Sequence, residues 1–104
     1  MAEHKKCLVT IKMNGEIKID EITKAPTHEE LHEIVGGWIE MVPFFTKFGD
    51  TPCVAYCNEE GKIRGLSQNQ VATMYWRRVC SGYPDILVGD VAIVTGPKSF
   101  LNTL

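Results

Sequence analysis

Residues 7–13, CLVTIKM, and 16–22, EIKIDEI, both alternate apolar with polar side chains, and Asn14-Gly15 stands between them. A period of two marks a strand buried on one face. Asn-Gly is the strongest short hairpin signal, because the favoured two-residue turn needs positive φ at both positions. The chain must therefore be built around an antiparallel pair. Ile17, Ile19 and one face of the first strand are expected in the core. Lys12, Lys18 and Asp20 are expected in water.

Downstream, the segment KAPT (24–27) breaks the alternation and a short helix follows over 28–35. Thr27 reads as its N-cap, with Glu30 three residues on completing a capping box. Gly36 suits the left-handed residue that ends a helix. A strand is expected over 38–42, closed by Pro43. Residues 44–50 form a loop rich in phenylalanine, with Phe44, Phe45 and Phe48. Another strand covers 52–58, Glu59-Glu60-Gly61 turns the chain, and residues 62–66 make a short return.

A second helix is expected over 68–79, with Ser67 as cap, Gln70 completing a capping box and Leu66 stapled onto Val71. Val71, Met74, Tyr75, Trp76 and Val79 make its apolar arc, and Gln70, Thr73 and Arg77 its polar face. Residues 81–85 read as loop. Two strands then flank a two-residue turn at Gly89-Asp90, or one bulged strand runs through it, and Phe100 and Leu101 can dock the tail. The fold class is α+β: a mainly antiparallel sheet (N-terminal hairpin, central strands, C-terminal strands) with two covering helices, in a single domain over 1–104.

Composition narrows function by exclusion. With 104 residues and 44% hydrophobic content, the chain suffices for one modest core. A net charge of −2 argues against nucleic acid as a partner. No apolar run approaches a membrane span. The charged start, MAEHKK, does not read as a signal peptide. A cytoplasmic setting is therefore expected, with Cys7, Cys53, Cys57 and Cys80 as reduced thiols. Cys53 and Cys57 lie four apart, outside the C-x-x-C spacing of zinc and redox motifs.

His28-Glu29-Glu30-Leu31-His32 matches H-E-x-x-H, the metal signature of zinc hydrolases. That chemistry needs both histidines inside a stable helix, a glutamate on a bound water and a third ligand. Here His28 opens the helix and the double glycine closes it soon after His32. Glu33, Asp50 or a cysteine could supply a third ligand, but no spacing selects one. The same letters read more simply as a helix start, with acids near the positive end of the dipole and Leu31, Ile34 and Val35 as the buried stripe. His28 and His32 remain weak candidates for metal.

At GGWIEMVPF, CVAYCNEEGKIRGLSQNQVAT and VGDVAIVTG the sequence is similar to a family of small uncharacterised proteins of bacteriophages and bacterial mobile elements. The shared segments are Gly36-Gly37-Trp38-Ile39-Glu40, Asn58-Glu59-Glu60-Gly61-Lys62, the helix start Leu66, Asn69, Ala72 and Thr73, and Gly89-Asp90-Val91. The histidines at 28 and 32 are not part of that pattern. The resemblance implies a phage-like protein in a host cell cytoplasm and carries no catalytic residue.

Trp38 and Glu40 on one strand, Tyr56 and Asn58 on the next, and Asn69, Thr73, Arg77 and Arg78 on the second helix form a candidate ligand set. Aromatics stack on a ring, an acid accepts from hydroxyls or amines, and arginine meets phosphate. The set suits a nucleotide-like small molecule. No glycine-rich phosphate loop and no Ser-His-Asp arrangement accompanies it. The expected function is therefore non-catalytic: binding, and sequestering, a nucleotide signal of bacterial antiviral defence, without a cofactor and as a homo-oligomer. The alternative is a protein-interaction module that inhibits a host enzyme through the phenylalanine loop. More remote is a zinc-dependent hydrolase at His28 and His32.

Overall fold

The structure is a computed structural model that describes residues 4–82 and 84–104. The start of the charged N-terminal segment and Tyr83, within the loop expected at 81–85, lie outside the described residues. Strands β1 (Cys7–Ile11), β2 (Ile17–Glu21), β3 (Ile39–Met41), β4 (Lys47–Phe48), β5 (Thr51–Asn58) and β6 (Val91–Thr95) alternate with helices α1 (His28–Val35), α2 (Gln70–Val79) and α3 (Lys98–Leu101). The sheet runs β2-β1-β6-β5-β3, and β4 pairs with β5. Every pairing is antiparallel. The fold is α+β. Among the described residues, no helix is long and apolar enough to cross a membrane.

The two main helices cover opposite faces. Cys7, Val9, Ile11, Cys53, Ala55, Val91 and Ile93 share a core with Ala72 and Trp76 of α2. The intervening residues Tyr56, Ala92 and Val94 pack with Leu31 and Val35 of α1, and Phe100 and Leu101 of α3 join that side. β6 is therefore buried throughout, which explains why VAIVT reads as a continuous apolar run. Full burial of a side chain such as Leu31 contributes roughly 2 kcal/mol.

The hairpin forms, but around a different turn. Lys12 N–H donates to Glu16 O and Gly15 N–H to Lys12 O, both at 2.8 Å. Gly15 has φ 96°, and Asn14 is not in the left-handed region. This is a three-residue turn with a left-handed glycine that forms a bulge. Asn14 contributes its side chain instead, accepting from Glu16 N–H at 2.9 Å.

α1 matches its local signals. Thr27 caps it, Glu30 closes the capping box, and Gly36 ends it at φ 76°. α2 does not start as expected. Its N-cap is Asn69 rather than Ser67, and Gln70 is its first residue. Gln68 is drawn into an isolated bridge with Val88, so residues 86–88 form no full strand. Thr73, expected on the polar face, is buried, and Met74, expected in the apolar arc, is exposed. The return at 62–66 is turn rather than strand. Ile17 and Ile19, expected in the core, are 38% and 59% exposed because β2 is an outer strand that α2 does not reach.

Candidate functional site

A cavity of about 110 Å³ opens where β3, the end of β5 and the turn after it meet α2 and residues 85–88. The β3–β5 register sets its floor. Glu40 pairs with Cys57, and Met41 with Tyr56. Opposite residues of an antiparallel pair share a face, so Glu40 and Cys57 both look toward α2. Val42, Trp76 and Leu87 supply an apolar wall. The Trp76 indole N–H donates to Pro43 O at 2.8 Å and fixes the wall to the chain leaving β3.

The opposite wall is charged. Lys62 meets the Asp85 carboxylate in a close ion pair. That hydrogen bond, with a second from Ile86 N–H at 2.8 Å, holds the Asp85 carboxyl below its ordinary range. Arg77 donates to Asp85 O at 3.2 Å and anchors the same segment from α2. The Cys57 thiol is pushed up to about 11, first by burial and then by the Glu40 carboxylate, with Lys62 opposing. Burial pushes Cys53 to about 12. Both thiols stay protonated near neutrality, so neither is a nucleophile there.

The expected ligand set does not converge as a ring. Glu40 and Asn58 line the cavity. Trp38 is 67% exposed and lies across the His32 ring, with centroids 5.3 Å apart, beside α1. Tyr56 is buried on the α1 face, where burial raises its phenol. Asn58 donates to Val35 O at 3.2 Å and accepts from Glu60 N–H at 2.8 Å, so its amide is a strut between α1 and the turn. Asn69 and Thr73 are structural at the start of α2, Thr73 donating to Asn69 O at 2.7 Å and accepting from Leu87 N–H at 3.0 Å. Arg77 and Arg78 border an open groove with Gln68, Gln70 and Met74, and Arg78 lies over the Tyr75 ring.

His28 and His32 are both exposed on α1. Among the described residues, no group of three or more His, Cys, Asp or Glu side chains is placed to hold a metal ion. Cys57, Lys62, Trp76 and Asp85 lie outside the ligand set that the sequence suggests. Strand alternation separates Tyr56 from Cys57, but only the register tells which of them faces Glu40.

A family model described as a domain of unknown function (DUF3846) matches residues 5–101. The chain belongs to that family. The match runs from just before β1 to the end of α3, so the DUF3846 domain is the whole sheet with its three helices and contains the cavity beside Glu40. Among curated proteins and solved structures, none matches the chain.

Proposed function

We propose that the protein is a non-catalytic binder of a small nucleotide-like ligand, taken by an amine-bearing ring in the cavity beside Glu40. The observation that carries this reading is the lining: an apolar wall of Val42, Trp76 and Leu87 facing carboxylates at Glu40 and Asp85. Carboxylates only accept hydrogen bonds, so they select ring N–H and exocyclic amine donors. The cavity is smaller than the ~300 Å³ at which pockets for whole drug-sized ligands begin. It therefore takes one ring, and the rest of the ligand lies outside. The cations at hand for a phosphate are Lys62, which lines the cavity, and Arg77, held on the Asp85 carbonyl. The protonated thiol of Cys57 supports holding over attack. The similarity to phage and mobile-element proteins gives such binding a use, the sequestering of a nucleotide signal of antiviral defence in a host cell.

Calorimetry against nucleosides, ADP-ribose derivatives and cyclic dinucleotides tests the reading. Wild type is expected to bind at least one of them, and Glu40→Gln to bind about tenfold more weakly, the loss of one charge-assisted hydrogen bond, with an unchanged denaturation midpoint. Absence of heat with every compound sinks it.

A second reading, a module that inhibits a host enzyme, rests on Phe44. This side chain is 61% exposed on a backbone with φ 63°. A bulky residue rarely adopts that conformation, and such strain gathers at functional sites. Phe45 is buried and Phe48 packs on Tyr75 at 4.7 Å, so only part of the phenylalanine loop faces out.

A further inference from the structure

β2 ends the sheet with one side of its backbone turned outward. Ile22 N–H donates to Lys6 O at 2.9 Å and Lys12 N–H to Glu16 O at 2.8 Å. With Leu8 opposite Asp20 and Thr10 opposite Lys18, the even-numbered residues of β2 direct their backbone to β1. Ile17, Ile19 and Glu21 direct theirs away from the sheet. All five residues of the strand are exposed, and among the described residues no strand pairs with this side. Ile17 and Ile19 lie on the face shared with Val9 and Ile11, and Met13 beyond them is 43% exposed.

We propose that β2 is the seam of a homodimer, two copies pairing antiparallel about a twofold axis through Ile19. The sequence of the strand, IKIDE, is self-complementary in that register. Ile19 meets Ile19 of the second copy, and Ile17 meets Glu21. Each of these pairs exchanges two backbone hydrogen bonds, using the groups that point outward. Lys18 stands opposite Asp20 of the second copy, twice by symmetry, on the other face of the sheet. The adjacent in-face registers put Lys18 on Lys18 or Asp20 on Asp20, and like charges directly opposite are unfavourable. Within one copy Lys18 and Asp20 already pair at 3.8 Å on that face, so the second copy's pair completes a four-charge cluster of alternating sign. A lone edge lysine ordinarily blocks such pairing; here Asp20 turns the block into a register marker. The seam joins two sheets into one and sets the exposed Ile19 side chains of the two copies side by side on one face. Being short, it gives a concentration-dependent dimer rather than a permanent one. The inference is independent of the ligand reading.

Sedimentation velocity on the full chain over a wide concentration range tests it. Wild type is expected to shift from monomer toward dimer as concentration rises. Ile19→Pro removes an outward N–H that β1 does not use, so it is expected to leave the monomer folded by circular dichroism and abolish the dimer. Lys18→Asp and Asp20→Lys are each expected to weaken association about tenfold, and the double variant K18D/D20K to restore it. A wild type monomeric at every concentration overturns the proposal. So does a dimer that the single charge reversals leave unchanged or that the double reversal fails to rescue.

Discussion

Asn69 is the residue on which most of the architecture converges. It is fully buried. Its side-chain oxygen accepts from Ala72 N–H at 3.0 Å, and its amide donates to Ile11 O at 2.8 Å and Gly89 O at 2.9 Å. One side chain thus starts α2, holds the end of β1 and ties the turn before β6. Ser67 has the chemistry of a cap but only a single hydroxyl donor, whereas this position requires an acceptor and two donors. Asn69→Ala is expected to cost about 3 kcal/mol, combining a lost cap with two buried carbonyls left without donors. Asn69→Asp keeps the acceptor but turns a carboxylate oxygen on those carbonyls. Its carboxyl is then raised, so its stability deficit grows as pH rises through that raised value. Urea midpoints at acid and neutral pH check both variants; an alanine variant within a few tenths of a kcal/mol of wild type contradicts the account.

Elements were legible where their signals are local. α1 shows its cap, its acids and its glycine stop within ten letters, and each does what the letters imply. β2 was legible as a strand and by face, but not by burial. Alternation tells which side chains share a face; whether a helix covers that face depends on the strand's place across the sheet. The start of α2 failed for a related reason, since the partners that select Asn69 lie 58 and 20 residues away. The ligand set divides between the two faces of the sheet, because Glu40 lies opposite Cys57 rather than Tyr56, a register settled by long-range pairing. The double glycine after α1 shows how local and distant causes combine. Gly36 is required by its left-handed backbone. Gly37 is required by proximity, for a Cβ there would lie 2.8 Å from Asn58 Nδ2 and 3.3 Å from Arg64 Nη1. Those two groups hold Val35 O and Gly36 O. Gly37→Ala is therefore expected to displace the strut and cost about 2 kcal/mol. Hydrogen exchange should report this as faster opening of α1, with β1 and β6 less affected; equal loosening of all three would argue against the strut.

For the molecule as a whole, the telling quantity is how stability responds to alkali. Cys53 and Cys57 lie on the α2 face of β5, with thiols raised from 9.0 to about 12 and about 11. In the unfolded chain they ionise near their ordinary values, and in the folded protein they do not. Their contribution is therefore complete below about pH 9 and is lost progressively as pH rises through the folded values. At the acid end the sign reverses. Asp85, depressed by Lys62, contributes stability above the ordinary carboxyl range, and that contribution fades as pH falls through the depressed value. Wild type should thus lose stability between pH 9 and 11 more steeply than a Cys53→Ala, Cys57→Ala double variant, whose denaturation midpoints should vary less over that interval. Parallel midpoint curves for the two proteins would show that the thiols ionise as readily folded as unfolded. The same measurement bears on function. A thiolate forming near neutrality at the floor of the cavity, beside Glu40, would be a nucleophile facing whatever enters. A thiol that resists ionisation to the edge of unfolding leaves the cavity able to accept hydrogen bonds and bury a ring, which is the chemistry of retention.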